Sequence, residues 1–510
     1  MSEKEVSTAL SIDDMAMFCK RKGFVYPSSE IYGGMAGFFD YGPYGAELKN
    51  NIKQDWWKFH VQSRQDIVGI DGSIISNPKV WVASGHAEHF GDILVEDLKT
   101  HERFRADVLL EETLKIQADG LSAEDMGKLI KENNVKSPKG NALSEPKKFN
   151  LMFTTNVGPV QSDEAKAYLR AETAQIIFAE FKNVFDTARL KLPFGIAQMG
   201  KAFRNEIAPR NFLFRCREFE QMEIEYFIHP NKQNDCPFIE EVMSEKLNVY
   251  SADMQEKHQE HKEMAVSDAL KKGIIKSPWH AYWLATEQKW FLNLGANRDK
   301  FRIRQHKKDE LAHYSSDCWD LEYNFPWGWK ELQGIADRGD FDLQQHMKHS
   351  GKDMNIFDEE SKSKVVPNVV AEPSLGVDRS FLVFMFDAYH DDKERGNIVL
   401  HLHPKLAPIK VAVFPLVNKL EDKATEVYKM LKNEFFTYYD RSGSVGRRYA
   451  RMDETGTPFC VTIDFDTTEK DDSVTIRERD TTQQVRVPIK ELKETLRKLI
   501  SGEMKFSQLK

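Results

Sequence analysis

The sequence predicts an α+β protein in two parts: a larger unit over residues 1–405, with a central antiparallel sheet flanked by helices, and an α/β domain with a mixed sheet over 406–510. Three observations lead there. Two extended runs on either side of a turn at Ala208–Asn211 read as an antiparallel hairpin with a long loop. A break falls at HPKLAPIK, near residue 405. Beyond it, apolar strands alternate with helices, the pattern of a separate α/β domain.

Composition narrows the function classes. The 510 residues carry 72 Lys and Arg against 80 Asp and Glu, a net charge of −8, which speaks against a polycationic nucleic-acid binder. With 41% hydrophobic and 30% charged residues, the chain reads as neither disordered nor membrane-embedded. The longest apolar stretch, Phe381 to Phe386, falls far short of the ~18 residues a membrane span needs, so no membrane association is expected. The start, MSEKEVSTAL, has acids where a signal peptide has cations, and a cytoplasmic location is expected. Five scattered cysteines without a CxxC pair read as free thiols, and no zinc is expected. His258 with His261 reads as part of a solvated helix face; His401 and His403 read as sharing a strand face without a third ligand.

The elements follow in order. GGMAGFFDYGPYG reads as a tight irregular loop, and AELKNNIKQDWWKFHVQ as a helix with Leu48, Ile52, Trp56 and Phe59 on one face. Residues 91–150, charged and punctuated by SPKGNALSEPKK, read as an insertion. AETAQIIFAEFKNVF is a helix with Ile177, Phe181 and Val184 on its apolar face, and the hairpin starts near Ile196. A second insertion, about 230–310, is built around a strongly charged stretch at 240–275 that reads as helical. In VVAEPSLGVDRSFLVFMF a strand runs through a glycine into a helix. IKVAVFPLV then reads as a strand buried on both faces, ATEVYKMLKNEF as a helix, FCVTIDF, SVTIRER and QQVRVPI as strands, and IKELKETLRKLI as a last helix. From Pro408 to Lys510 there are 19 basic and 17 acidic residues, a net +2 that leaves −10 elsewhere, a hint that this module meets a polyanion.

Two segments carry chemistry. In the second strand of the hairpin, alternation puts Arg215, Arg217, Phe219, Gln221, Glu223 and Glu225 on one face, and Cys216, Met222, Ile224 and Tyr226 on the other. Cations, an aromatic ring and carboxylates thus follow one another, an order that suits a ligand with a phosphate end, a flat ring and an ammonium. An exposed strand with alternating surface charges fits the pattern equally. In EPSLGVDR, Glu372 ends an apolar strand, Gly376 permits close backbone approach and Arg379 enters the first turn of a helix. A cation there opposes the helix dipole, so an anionic partner is expected. Such a pair could hold Mg²⁺ and a polyphosphate together.

The two segments together resemble the signatures of class II aminoacyl-tRNA synthetases. The pattern FRxE, a loop, then RxxxFxxxE is met by Phe203, Arg204, Glu206, Arg215, Phe219 and Glu223, and the third motif by Gly376 and Arg379. Within the class the chain is similar to the homodimeric glycyl type, through FNLMFTTNVGP, YLRAETAQ, GWKELQGIADRGDFDL and DSVTIRERDTTQQVRVPIKEL among other strings. The resemblance implies a class II catalytic domain over 1–405 and an anticodon-binding domain over 406–510. It implies activation of glycine by ATP with Mg²⁺, then transfer to the 3′ end of its tRNA by a homodimer formed partly around Leu48–Asn77.

It also implies roles. Arg204 holds the α-phosphate, Asn205 and Glu206 read the adenine edge, Phe219 stacks on the ring, and Arg215 and Arg379 hold the outer phosphates. Phe214, Arg217, Leu332 and Gly376 complete the ATP site, with Glu331 and Glu372 on the magnesium side. Arg204 and Arg379 are the catalytic pair. Glu172, Gln221, Glu223, Glu225, Glu372 and Ser374 surround the glycine, and Arg105 reaches it from the first insertion. Ala171 and Ile176 stand where the family has proline and glycine, which puts bulk behind Glu172, and no cysteine pairs flank the first insertion. The rivals are a class II synthetase for another small amino acid and a non-catalytic nucleic-acid-binding relative, which the intact arginines oppose.

Overall fold

The computed structural model describes residues 10–509 except 117, 119, 120, 160, 161, 163, 164, 313 and 314; most of the MSEKEVSTAL start lies outside the described residues. Nine strands form the central sheet among the described residues: β1 (Ile67–Ile70), β2 (Phe194–Phe203), β3 (Glu218–Ile228), β4 (Lys246–Tyr250), β5 (Lys262–Ala265), β6 (Phe301–Gln305), β7 (Asp317–Phe325), β8 (Gly328–Asp337) and β9 (Asn368–Gly376). Their spatial order is β5-β4-β6-β7-β8-β9-β3-β2-β1. Only the β4–β6 and β2–β1 pairings are parallel. β2 and β3 form the expected hairpin, in register from Phe194↔Phe227 to Phe203↔Glu218.

Helices cover both faces. Helix α1 (Pro43–Trp57) buries Leu48, Ile52 and Trp56, while α3 (Pro278–Asn293) and α4 (Val377–Ala388) join it over Met222, Ile224 and Tyr226. Helix α2 (Ala174–Ala188) packs Ile177, Phe178 and Phe181 against Phe194 and Phe227 on another cluster. The alternation of β3 thus feeds two cores.

The stretch 240–275 is not a long helix. It folds as β4, a short helix Ala252–Glu256, β5 and a second short helix Val266–Lys271, with α3 carrying the chain across to β6. Leu247 and Val249 alternate inward and are buried, and the charges lie outside them. His258 falls in a turn at φ 54° rather than on a helix face. Residues 91–150 build a three-stranded sheet (Gly91–Glu96, Arg103–Arg105, Lys147–Asn150) and two helices, with Val95, Leu110 and Met126 in a small core.

The C-terminal sheet comprises β10 (Val411–Pro415), β11 (Thr437–Tyr439), β12 (Phe459–Ile463), β13 (Ser473–Glu478) and β14 (Gln484–Pro488), ordered β11-β10-β12-β13-β14. β10 is parallel to both its neighbours, and the last two pairings are antiparallel, so the sheet is mixed. Val411 to Phe414 are fully buried, between helices Glu421–Leu431 and Ile489–Ser501 on one side and Val445–Thr455 on the other. The second strand after α4, Asn397–Leu400, stops short of His401 and His403, and His401 pairs with Asp480 at 2.7 Å. No helix among the described residues is long and apolar enough to cross a membrane.

Candidate active site

Opposite the face where Met222, Ile224 and Tyr226 pack, the central sheet opens into a cleft of about 290 Å³. Strand register builds its floor as rows. Glu223 stands opposite Ser374, Ser374 opposite Gly334, and Gly334 opposite Asp320. The adjoining row runs from Glu372 through Ala336 to Cys318. Gln221 faces Gly376 on the other side of the first row. All of these line the cleft, with Glu172, Arg204, Glu206, Phe214, Arg215, Phe219, Glu331, Leu332 and Arg379.

One end is cationic. Arg204 follows β2, donates from Nε to the Ala171 carbonyl at 3.1 Å and lies 5.3 Å from the Phe219 ring centre. Arg215 grips Glu206 through Nε at 2.8 Å and a terminal nitrogen at 2.6 Å. Arg379 sits in the first turn of α4, 4.5 Å over the Phe214 ring. It donates to the Glu331 carbonyl at 2.8 Å, with the Glu331 carboxylate at 3.4 Å, so the anionic partner that the helix dipole calls for is present.

Two residues predicted for the ATP end stand outside the lining. Arg217 turns away, donating to the Glu206 carbonyl and to the Ala36 carbonyl, each at 2.8 Å. β3 begins only at Glu218, so strand alternation does not reach back to it. Asn205 is held by its backbone N–H on the Leu151 carbonyl at 2.8 Å and is absent from the lining. Both fix the loop that carries Arg204 and Glu206.

The other end is acidic and buried. Glu172, which precedes α2, has its carboxylate 3.3 Å from His86 Nε2 and accepts from Gln175 at 3.1 Å. Glu223 accepts from the Thr173 hydroxyl. Glu225 is fully buried behind the lining, and neither of its carboxylate oxygens has a hydrogen-bond partner among the described residues. Its carboxylate groups with those of Glu223 and Glu372, one oxygen of each within 4.8 Å of the others. Of the two acids expected on the magnesium side, Glu331 is half exposed at the mouth, whereas Glu372 belongs to this buried group.

Arg338, which the motif reading did not single out, ties this end together. It is 3% exposed, donates to Asp342 at 2.7 and 2.9 Å and to Glu372 at 2.7 Å. Five carboxylates (Glu172, Glu223, Glu225, Asp342, Glu372) thus gather around this guanidinium and the His86 ring. Burial, opposed by Arg338 and reinforced by Glu223 and Glu172, pushes Glu372 up to about 8. Burial and Glu372 push Glu225 well above the ordinary range, and burial with Glu172 raises Glu223. Burial also works against the charge of Glu172, yet His86, Arg338 and Arg204 hold it well below the ordinary range. Uncompensated buried carboxylates are costly, and a cationic ligand relieves them.

Arg105 does not line the cleft. It pairs with Asp107 and lies 3.5 Å from Asp92, whose carboxyl is raised by burial and, against the pull of Arg105, by Glu206. The Ile176 departure is matched by Gly72: a Cβ on Gly72 would come within 2.3 Å of the Ile176 γ2 methyl. Ala171 is fully buried against Trp81 and Met152. Sequence reasoning also missed His306, Cys318, Asp320 and Asp378 on the lining. A period-two reading of DCWD, which puts Cys318 and Asp320 on one face, was the available signal.

Comparison with known proteins agrees with this architecture. Residues 153–385 match the family model of the tRNA synthetase class II core domain (G, H, P, S and T), and residues 410–499 match that of the anticodon binding domain. Fold and cleft therefore define a class II synthetase core with an anticodon-binding module. The chain is 46% identical to the glycine–tRNA ligase of Caldanaerobacter subterraneus subsp. tengcongensis over 98% of this chain and 99% of that protein. It is 45% identical to that of Geobacillus thermodenitrificans over 98% and 100%, and 44% identical to that of Bacillus thuringiensis over 96% and 99%. The chain belongs to the glycine–tRNA ligase family.

Proposed function

We propose that the chain joins glycine to its tRNA in two steps, with residues 1–405 as catalytic domain and 406–510 as anticodon-binding domain. In the first, a glycine carboxylate oxygen attacks the α-phosphorus of ATP and the bond to pyrophosphate breaks, giving glycyl-adenylate. In the second, the 3′-terminal ribose hydroxyl of the tRNA attacks the glycyl carbonyl and AMP leaves. The observation that carries this reading is the excess of buried carboxylate around Arg338 at one end of a cleft whose other end is arginine-rich.

Positioning and charge neutralisation do the chemistry, because attack of a carboxylate on a phosphoryl group needs no enzyme nucleophile. Arg204 holds the α-phosphate, Phe219 carries the adenine, Glu206 reads its edge, and Arg215 and Arg379 hold the outer phosphates. Mg²⁺, when bound with ATP, supplies further neutralisation of the phosphates. The half-exposed carboxylate of Glu331 suits that position, whereas Glu372, bridged to Arg338, suits the glycine end. Glu172, Glu223, Glu225 and Glu372 receive the ammonium. Thr173 pins Glu223, and Gln221 donates to the Ser374 hydroxyl at 3.2 Å, so a methyl on the substrate would meet fixed groups.

The working form is a cytoplasmic homodimer. Leu48, Ile52 and Trp56 are spent on the chain's own core, which leaves the exposed Ile74 and Ile75 as the apolar surface of the 48–77 segment. Glycine-dependent ATP–pyrophosphate exchange by the purified protein tests the reading. Exchange with glycine but not alanine, serine or proline is expected; exchange with one of those and none with glycine would overturn it.

A further inference from the structure

We propose that His306, Cys318 and Asp320 form a binding site for a thiolate-accepting divalent cation of the zinc class, on the wall of the cleft. The site does not depend on the substrate assignment above. It is assembled by strand register. Arg304 lies opposite Asp320 and Gln305 opposite Trp319, so His306, at the end of β6, falls opposite Cys318 and donates its N–H to the Cys318 carbonyl at 2.9 Å. Cys318 and Asp320 are two apart on β7 and project to one side, while Trp319 between them is fully buried on the other.

The side chains converge. His306 Nε2 is 2.7 Å from Asp320 Oδ2, and one ligand atom from each of the three residues lies within 4.8 Å of the other two. All three line the cleft, and Gly334, across from Asp320, brings no side chain over it. An imidazole, a thiol and a carboxylate on a concave wall are one ligand short of a tetrahedron, with the fourth position directed into the cleft, as in zinc sites that keep a place for water or ligand. Tetrahedral zinc needs ligand atoms about 3.3–3.8 Å apart, so His306 and Asp320 must separate by about 0.6 Å, within reach of a side-chain adjustment.

The surroundings favour a cation. Glu331 and Glu372 both act on Cys318, with Asp317 behind. The opposing charge is Arg304, 3.9 Å from Asp320, and Glu310 neutralises it at 2.5 Å. Burial and Asp320 raise the Cys318 thiol, so a bound cation displaces its proton. The thiol also sets the metal class, because Mg²⁺ takes oxygen ligands and does not compete for sulfur.

Cobalt titration of the full-length, chelator-stripped protein tests the site. One equivalent of Co²⁺ should produce a thiolate-to-cobalt charge-transfer band, which one equivalent of Zn²⁺ bleaches and excess Mg²⁺ leaves intact. The band should vanish in Cys318→Ser and in Asp320→Asn, and persist in Cys216→Ser, which alters the other thiol on the lining. No band in the parent protein, a band that survives Cys318→Ser, or bleaching by Mg²⁺ would each overturn the proposal. The readout is optical, so it stands or falls apart from glycine activation.

Discussion

The contact between Gly72 and Ile176 can be tested as a matched pair. In Gly72→Ala the new Cβ would sit 2.3 Å from the Ile176 γ2 carbon and 3.1 Å from its Cβ, against an optimal carbon–carbon separation of about 3.5–4.0 Å. Ile176 is 7% exposed on α2, four residues from Glu172, and cannot swing into solvent. Overpacking of this kind costs about 1–3 kcal/mol. Ile176→Ala alone leaves a cavity and costs about 2–5 kcal/mol. In the double variant the 2.3 Å clash with the γ2 methyl is gone and, of residue 176, only the alanine Cβ at 3.1 Å remains, which a shift of a few tenths of an ångström relieves, so the two costs should fail to add by about 1–3 kcal/mol. Urea unfolding followed by tryptophan fluorescence is the assay. All nine tryptophans fall between residues 56 and 329, so the signal reports the larger unit and not the C-terminal one. Additivity of the two single effects to within about 0.5 kcal/mol would refute the packing argument.

Further outcomes follow from the site. Arg338→Gln leaves Asp342 and Glu372 without their buried partner and should cost about 3–5 kcal/mol in the same unfolding assay, with a raised KM for glycine. Arg204→Gln should lower ATP–pyrophosphate exchange by about 10²–10³ while tRNA binding is retained in a filter assay. Burial, with Glu223 and Glu172, places Glu372 at about 8, above its unfolded value; its contribution to the stability of the unliganded protein is therefore full below pH 4.5 and lost as pH rises through 8. Glycine's ammonium favours the ionised form, so binding should release protons near pH 7 and the KM for glycine should fall from pH 6 to 8. Calorimetry in buffers of different ionisation enthalpy measures that release.

The site was legible in sequence where one strand carries it. Phe219, Gln221 and Glu223 share a face by alternation alone, and Gly376 and Arg379 straddle a strand-to-helix joint that an apolar run announces. Legibility ended where partners are distant in the chain. Arg338 follows β8 and binds Asp342 one helical turn on, but its significance comes from Glu372, 34 residues away. His86 reaches Glu172 across 86 residues of sequence, through a segment that composition marks only as charged. The stretch 240–275 misled because strands of four or five residues, separated by charged turns, leave no period long enough to distinguish from a polar helix. Arg217 failed for a smaller reason: alternation was carried back to Arg215, three residues before the ladder begins at Glu218.

The strands under the cleft are hydrogen-bonded neighbours, and this turns β3 into a ruler. From Phe219 to Glu223 is four residues, about 14 Å of extended backbone. That interval is the length of ligand that can touch ring platform and carboxylate together. It cannot be stretched or shortened by flexing a loop, because every increment is pinned by pairing to β2 on one side and, from Gln221 onward, to β9 on the other. Deleting a single residue would not shorten the measure by one notch. It would turn the face over and point Met222 and Ile224 at the substrate, so the gauge tolerates substitution but not a change of count.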